Sequence, residues 1–457
     1  MPSTGAVPTI VIGAGISGLV CAHALRSFDI DALVLESSGR PGGVIRSEQR
    51  EGFLFECGPQ SFTSTYALSR LAHELGLANE LVEAPPRAPR YVLVNGSLQP
   101  VPLSPASFLS TSLIGPSTKW SILSEPLRKS SPPEPDESIA DFTRRKFTPE
   151  LLECLVGPFV SGIYAGDPEK LSLRGAFPSI HEAEKSAGSI VRGMIRRSKS
   201  KPQPAHRPKL ASFRGGNAQL VRALTEKLGD ALHTRAEVRE LRRTSSGAFQ
   251  IIIQENDSLR EYTAARLVLA SPAGASATLL KELVPAASSA LGEIAYAPVA
   301  VVSLGYRRQD IGHSLSGFGF LIPRSAGLRT LGAVWNSSLF SKRAPEGQVL
   351  LTSFVGGATD PGAVDLASDQ LASLVHSELA PLLSIRQSPV ITNVTIHARA
   401  IPQYNLGHSR RVAAIESALH SFRDLWIAGN FFRGPAIGAC VDRALSVAEE
   451  VRISYNS

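Results

Sequence analysis

Cysteine is scarce in this chain, with 4 among 457 residues, and no two cysteines form a CxxC pair. A disulfide-stapled fold is therefore excluded, and a zinc ribbon is disfavoured. No group of His, Cys, Asp and Glu residues shows metal-ligand spacing, and no GxSxG motif marks a serine nucleophile. We expect no bound metal, no nucleophilic triad and a reducing compartment.

Long apolar runs are also missing. No stretch reaches the roughly 18–20 consecutive apolar residues of a membrane-spanning helix, and the opening residues have neither a basic segment nor a cleavage site. We therefore expect no transmembrane helix, signal peptide or transit peptide. Hydrophobic residues still make up 43% of the chain and charged residues 19%, which excludes a disordered protein and predicts two or three folded domains. The net charge of +7 suits anionic lipid, an acidic ligand or nucleic acid, so it does not identify a partner.

The first motif combines a strand, a glycine-rich turn and a helix. Residues 9–12 predict a buried parallel strand, residues 13–18 read GAGISG, and a second strand at residues 31–35 ends at Glu36. In this pattern Gly15 lets the backbone approach a pyrophosphate at the helix N-terminus, and Glu36 accepts hydrogen bonds from ribose hydroxyls. Glu36 also disfavours NADP, because its charge would repel the 2′-phosphate of that cofactor. The predicted cofactor-binding residues here are Gly13, Ala14, Gly15, Ile16, Ser17, Gly18, Glu36 and Ser37.

A second glycine-rich segment, RPGG at residues 40–43, follows at once and offers another anion-facing backbone nest. Residues 53–61 then read FLFECGPQS, a strand and a turn. The order GxGxxG–E–RxGG–ExGP resembles the N-terminal pattern of the superfamily that includes FAD-dependent amine oxidases, phytoene desaturases and protoporphyrinogen oxidases. This resemblance implies non-covalent FAD. It adds as cofactor-binding residues Arg40, Gly42, Gly43, Gly58, Pro59, Gln60 and Ser61, although Gln60 stands where some relatives have arginine.

Two later segments complete the predicted FAD site. The resemblance places the backbone of Val238 beside the adenine. Near the C-terminus, residues 425–430 predict a strand, followed by a glycine-containing turn and a helix from Val441. The resemblance assigns Asn430, Pro435, Ala436 and Ile437 to the flavin, while Cys440 is expected to be a buried thiol and not a covalent flavin link.

Three further stretches are similar to the protoporphyrinogen oxidase family. They read GPFVSGIYAGDPEKLS at residues 157–172, SGFGFLIP at 316–323 and IPQYNLGH at 401–408. With the two ends, the resemblance covers nearly the whole chain and is weakest at residues 100–137 and 192–209. It implies oxidation of protoporphyrinogen IX to protoporphyrin IX in three two-electron steps, with hydride passing to flavin N5 and O2 forming H2O2. Coproporphyrinogen III oxidation is the main alternative. Two weaker alternatives are another flavin oxidase, acting on amines or polyenes, and a non-catalytic flavoprotein.

The resemblance also implies a substrate site. Arg90 would pair with a propionate, with Arg87 as a rival, and Phe318, Leu321 and Leu331 would pack on the macrocycle. Gly162 is the predicted catalytic residue, since its carbonyl would face the macrocycle and help to take an N–H proton. The alternative for Gly162 is a break in a helix, and for the apolar residues ordinary core packing.

The predicted fold class is α/β: a discontinuous Rossmann-like FAD-binding domain of amine oxidase type, an α+β substrate domain, and an all-α membrane-associating insertion. The FAD domain would contain residues 1–84, 210–285 and 395–457, and the substrate domain residues 85–100 and 286–394. The helical insertion would span residues 101–209.

The insertion carries an apolar stretch at residues 108–123 and a basic tract at 192–209. The basic tract suits either a mobile solvated loop or docking on an anionic membrane. It has no interleaved aromatic residues, so no nucleic acid partner is expected. The expected location is the cytoplasmic face of a bacterial cell membrane, as a peripheral protein, and the family suggests a homodimer.

Overall fold

The computed structural model describes residues 3–200, 208–255 and 258–455. In these residues the strands are β1 (Ser3–Ile12), β2 (Ala32–Leu35), β3 (Ser47–Arg50), β4 (Phe53–Glu56), β5 (Phe62–Thr63), β6 (Leu81–Glu83), β7 (Arg90–Val94), β8 (Ser97–Pro100), β9 (Leu210–Phe213), β10 (Leu232–His233), β11 (Ala236–Arg243), β12 (Phe249–Glu255), β13 (Ser258–Leu269), β14 (Tyr296–Arg307), β15 (Gly319–Leu321), β16 (Thr330–Trp335), β17 (Gln348–Gly356), β18 (Ile391–Pro402) and β19 (Leu425–Ile427). The helices are α1 (Ile16–Ser27), α2 (Tyr66–Glu74), α3 (Pro105–Ser110), α4 (Pro116–Leu123), α5 (Ile139–Lys146), α6 (Pro149–Leu151), α7 (Gly157–Tyr164), α8 (Leu173–Ala176), α9 (Pro178–Ala187), α10 (Ile190–Ser200), α11 (Ala218–Leu228), α12 (Ala273–Leu280), α13 (Pro285–Gly292), α14 (Asn336–Leu339), α15 (Ser368–Leu383), α16 (His408–His420) and α17 (Ile437–Tyr455).

The first sheet joins strands from both ends of the chain. Its parallel part has the order β10-β2-β1-β13, with β19 also parallel to β13. β12 and β11 extend it in antiparallel fashion. All four residues of β2 are buried, as expected for a parallel strand covered on both faces. The helices α1, α11 and α17 pack together on one side of this sheet, so the N-terminal motif and the C-terminal helix share one core.

The second sheet has the order β18-β14-β17-β16-β15-β7-β8. Its neighbours are antiparallel except for β7 and β15, which pair in parallel with Arg90 opposite Gly319. The helix α15 packs against this sheet through Leu371, Val375 and Leu379. β18 continues to Pro402, so the sheet extends beyond residue 394, where the sequence placed the domain boundary.

Residues 105–200 are helical throughout their regular elements, from α3 to α10. Residues 138–164 do not form one continuous helix: α5 ends at Lys146, and a π-helical turn at Leu152–Val156 joins α6 to α7. Ser138 caps α5 by accepting from the amide of Asp141 at 2.9 Å. Within the described residues, each helix is too short or too polar to cross a bilayer.

Two predicted features of local structure were wrong. Residues 190–200 form the helix α10 and not a mobile loop, because the buried carboxylate of Glu125 accepts from the amides of Ile190 and Val191 at 2.8 and 3.2 Å. Residues 201–207 of that basic tract lie outside the described residues, and Lys209 at its end pairs with Glu83 at 2.7 Å. In addition, the C-terminal helix begins at Ile437, four residues before Val441.

Candidate functional site

The GAGISG turn has the geometry of a phosphate cradle. Gly13 has a φ of +104°, and its amide donates to the carbonyl of Leu35 at 2.8 Å. A Cβ on Gly18 would lie 1.9 Å from the carbonyl oxygen of Gly13, so only glycine allows this approach of helix to strand. At Gly15 a Cβ would meet no atom within 4 Å, and no side chain caps α1. The helix N-terminus therefore presents free amides to an anion.

Glu36 lies at the edge of this cradle. Its carboxylate accepts from the amide of Ala14 at 2.8 Å and from the amide of Ser38 at 2.8 Å, and Ser37 lies beside it on the surface. The backbone of Glu36 also accepts from the amide of Ala236, the first residue of β11. Val238 follows two residues later at a register shift in β11, so the structure brings it to the same end of the first sheet.

The RPGG segment folds against the cradle. The amide of Gly42 donates to the carbonyl of Ala14 at 2.7 Å, and Gly15 and Gly42 form a bridge. Arg40 donates to the carbonyl of Gly43 at 2.7 Å, so its guanidinium stabilises its own loop. The two predicted glycine-rich segments therefore form one continuous surface.

In the turn at residues 58–61, Gly58 is required because a Cβ would lie 2.1 Å from the carbonyl oxygen of Val44. The buried Gln60 donates to the carbonyls of Glu56 and Gly58, both at 2.9 Å, and accepts from Asn336 at 2.8 Å. Its polar atoms are thus engaged by the protein. Gln60 thus links this turn to α14, the short helix that follows β16.

A buried ion pair lies behind the same turn. Glu56 and Arg343 are each 2% exposed, with carboxylate and guanidinium 3.5 Å apart. Burial raises the pKa of Glu56 to about 7, against the opposing effects of Arg343 and of hydrogen bonds from Ser47 and the amide of Asn217. The pair links β4 of the first half of the chain to the loop before β17.

The C-terminal turn (residues 428–436) faces the N-terminal cradle, because α17 packs along α1. Asn430 accepts a hydrogen bond from the Tyr296 hydroxyl at 3.4 Å, and Pro435 and Ala436 lie at the surface before Ile437 opens α17. Cys440 is buried and hydrogen-bonded to Ser17, and burial raises the pKa of its thiol to about 11. Cys440 is thus the buried thiol that the sequence predicts.

Four of the predicted substrate residues form two close contacts, Arg90 with Phe318 and Gly162 with Leu321, while Leu331 lies on β16 and is only 3% exposed. Arg90 lies over the ring of Phe318, with 5.3 Å between guanidinium carbon and ring centroid. No salt bridge joins Arg90 to another residue in the described parts of the chain. Gly162 lies inside α7, where a Cβ would come within 2.6 Å of Leu321, so this glycine is no helix break. Leu331 packs against Ala165, which caps α7.

Arg87, the alternative to Arg90 as the propionate-binding arginine, does not lie on the Phe318 ring. It lines a surface cavity of about 490 Å³ together with Pro85, Leu315, Gly317 and Ser338. Phe318 follows Gly317 directly, so this cavity borders the surface that carries Arg90 without being part of it.

The whole chain resembles proteins of known family. Residues 16–452 match the model of the family described as flavin-containing amine oxidoreductases. The chain is 35% identical over 97% of its length to the chloroplast protoporphyrinogen oxidase 1 of Spinacia oleracea, covering 83% of that protein. It is 30% identical over 98% of its length to the coproporphyrinogen III oxidase of Bacillus subtilis, covering 98% of that protein. A structure from Exiguobacterium sp. 255-15, provisionally named a protoporphyrinogen oxidase, superimposes with a TM-score of 0.82 over 99% of this chain and 100% of that one, at 23% identity, and shows the shared fold.

The chain belongs to the flavin-containing amine oxidoreductases. The predicted family and the predicted FAD cofactor are thereby confirmed, and the protein is an FAD-dependent oxidoreductase with an amine oxidase-type α/β fold. Its relatives include oxidases named for both porphyrinogens that the sequence analysis weighed.

Two groups of this flavoenzyme escaped the sequence analysis. Arg343 and Asn336 lie between β16 and β17, in a loop and in α14, yet they contact Glu56 and Gln60 beside the predicted FAD turn. Both pairs join residues more than 250 positions apart, so no local pattern could reveal the partners. The one available signal was the ExGP motif, since a glutamate ending a buried strand requires a buried partner.

Proposed function

We propose that this flavoenzyme is a porphyrinogen oxidase of haem biosynthesis that acts on protoporphyrinogen IX. The observation that carries the proposal is the pairing of β7 with β15, which brings Arg90 and Phe318 onto the same part of the sheet as Leu321, the residue that contacts Gly162. In the described residues Arg90 forms no salt bridge, so a cation lies there beside apolar side chains. A porphyrinogen has the matching chemistry, namely an apolar macrocycle with anionic propionates. The name of the spinach relative, at 35% identity, supports this substrate.

The residues around the GAGISG turn fit FAD. The open backbone at Gly15 and the uncapped start of α1 would hold the pyrophosphate, and Glu36 would accept from the ribose once its carboxylate turns from the amide of Ala14. Val238 would contact the adenine through its backbone. The other proposed contacts come from the predicted set: Gly13, Ala14, Ile16, Ser17, Gly18, Ser37, Arg40, Gly42, Gly43, Gly58, Pro59, Ser61, Asn430, Pro435, Ala436 and Ile437. Gln60 would act indirectly, by fixing the turn. When bound, FAD would supply the hydride acceptor of the reaction, with O2 proposed as the final oxidant.

The chain's own groups would bind, orient and deprotonate the substrate. Arg90 would pair with a propionate, while Phe318, Leu321 and Leu331 would pack on the ring. The helix α7 ends at Tyr164, so the carbonyl of Gly162 lies in the last turn, beyond the reach of the amides of its own helix. That carbonyl would accept an N–H of the macrocycle and align it for proton loss.

Coproporphyrinogen III is the second candidate, favoured by one observation. Arg87 provides a further cation beside the Arg90 surface, and coproporphyrinogen carries four propionates where protoporphyrinogen carries two. The Bacillus subtilis relative is named for this substrate.

The helical residues 105–200 would form a membrane-associating insertion. They expose large apolar side chains, among them Leu109, Trp120, Leu127, Phe159, Ile163, Met194 and Ile195. The last turn of α10 adds basic charge that suits anionic lipid. We place the protein on the inner face of a bacterial membrane, as a homodimer with O2 as its electron acceptor. The FAD and substrate domains would be divided as the sequence predicts, except that the substrate domain continues through β18 to Pro402.

The proposal is tested by following porphyrin fluorescence under air with protoporphyrinogen IX and coproporphyrinogen III in parallel. Faster turnover of protoporphyrinogen with a flavin spectrum and H2O2 release is the expected result. Preference for coproporphyrinogen would establish the second candidate. A flavin spectrum without turnover of either porphyrinogen would reject both.

A further inference from the structure

The segment IPQYNLGH, singled out in the sequence, has received no role so far. The structure places Tyr404 and His408 of this segment in the core, 1% and 2% exposed. Their rings are stacked, with centroids 4.2 Å apart and planes 6° from parallel. Such a pair is rigid, because each ring fixes the orientation of the other.

Both side chains form hydrogen bonds to backbone carbonyls of the C-terminal turn. The Tyr404 hydroxyl donates to the carbonyl of Asn430 at 2.5 Å, and His408 Nε2 lies 2.8 Å from the carbonyl oxygen of Phe431. A carbonyl only accepts, so His408 carries its proton on Nε2. Its Nδ1 is buried without a hydrogen-bond partner in the described residues. Burial lowers the pKa of His408 to about 4, so the ring is a neutral, fixed donor near neutral pH.

The same segment contacts the helix that carries Gly162. Gln403 donates to the carbonyl of Tyr164, the last residue of α7, at 2.9 Å. The rings of Tyr164 and Tyr404 are 5.6 Å apart. One short segment therefore touches both the end of α7 and the turn that precedes α17.

We propose that Tyr404 and His408 are positioning residues for the flavin. They pin two consecutive carbonyls of the C-terminal turn and thereby fix its distance from α7, the helix proposed to face the substrate. This inference depends on FAD at the C-terminal turn and is independent of which substrate the enzyme oxidises. Tyr296 supports the same turn through the side chain of Asn430, so removal of one donor should displace the turn without unfolding it.

The test compares Tyr404→Phe with Tyr306→Phe. Tyr306 is also fully buried, and its hydroxyl is hydrogen-bonded at 3.0 Å to His376 Nδ1, but it lies in β14 of the second sheet. Each variant removes one buried, hydrogen-bonded hydroxyl, so both should lose thermal stability. Apoprotein of each variant is titrated with FAD, and the visible circular dichroism of the bound flavin is recorded.

We expect Tyr404→Phe to weaken FAD binding about five- to tenfold, the effect of one lost buried hydrogen bond. It should also change the flavin dichroism, whereas Tyr306→Phe should match the wild type in both measurements. With an active substrate, kcat should fall while KM stays unchanged. Equal FAD affinity and equal dichroism in the two variants would overturn the inference.

The second pair of variants is His408→Phe and His408→Gln. Phenylalanine keeps the stacked ring but removes the donor, and glutamine restores an N–H donor without the ring. Weaker FAD binding in both, with the smaller loss in His408→Gln, supports the inference, and unchanged binding in His408→Phe contradicts it. These FAD measurements need no substrate, so a failed porphyrinogen assay would reject the proposed function and leave this result standing.

Discussion

Leu321 fills the space where a side chain on Gly162 would begin: a Cβ on Gly162 would lie 2.6 Å from Leu321 Cδ2. The atom in conflict is the end of a flexible side chain, so the leucine can rotate away. Helix and sheet therefore meet through a contact that is close but adjustable, at the surface proposed to bind the macrocycle.

Gly162→Ala should change function more than stability. Alanine favours a helix by about 1 kcal/mol over glycine, which offsets much of the roughly 1–3 kcal/mol cost of displacing Leu321. We expect a melting temperature close to that of the wild type and a loss in kcat/KM of about tenfold, since the displaced leucine enters the substrate surface. The double variant Gly162→Ala with Leu321→Ala is the control. If the double variant recovers none of the activity lost in Gly162→Ala, displacement of Leu321 is not the cause of that loss.

Arg90→Gln should weaken substrate binding. A charge-assisted hydrogen bond contributes about 1.5–3 kcal/mol, so KM should rise about 10- to 100-fold while kcat changes little. The measurement is steady-state kinetics with both porphyrinogens. Arg87→Gln is the matched control: we expect it to spare protoporphyrinogen turnover. A larger effect of Arg87→Gln than of Arg90→Gln would reverse the assignment.

The pair Glu56–Arg343 should make stability depend on pH. The folded protein holds the pKa of Glu56 near 7, above its ordinary value of 4.5, so the folded state binds the extra proton. Stability should therefore fall as pH rises from 4.5 to 7, by about 3 kcal/mol at most for this group. Melting temperatures across that range measure the slope.

Arg343→Met should be costly because it leaves Glu56 buried without a counter-charge. We expect a loss of about 3–5 kcal/mol at pH 8 and a smaller loss at pH 5, where the carboxyl is neutral. Arg329→Met removes the more exposed pair with Asp360 and serves as the control. A loss for Arg343→Met that is the same at both pH values would show that Glu56 does not titrate.

Trp120→Ser should reduce binding to anionic vesicles. Trp120 is 71% exposed on α4, and an apolar side chain of this size contributes about 2 kcal/mol when it enters a lipid surface. We expect at least a tenfold loss of affinity in a flotation assay. Tyr66→Ser changes an aromatic residue that is 69% exposed on α2, outside the helical segment, and should bind as the wild type does. Equal affinity of Trp120→Ser and the wild type would count against the proposed membrane face.

Local motifs were predictable, and long-range pairings were not. Glu36 and the GAGISG turn were found because strand, turn, helix and acid follow one another within about 25 residues. The helix α10 was missed because its N-terminus is capped by Glu125, 65 residues away. The start of α17 was placed too late because Gly438 suggests a turn. In the structure that glycine allows close packing, since a Cβ would lie 2.8 Å from Thr65 Cγ2.

The sheet that carries the predicted FAD cradle has consequences for synthesis. Its strand β1 is the first to leave the ribosome, but its partner β13 follows more than 240 residues later, and β19 follows at residue 425. Contacts of such high sequence separation form slowly, and here they cannot form during most of translation. Until then β1 has neither its partner β13 nor the helix α17 that packs along α1. We infer that the cofactor site assembles only after β19 and α17 have been synthesised, and that a nascent chain without them leaves an apolar strand open to aggregation.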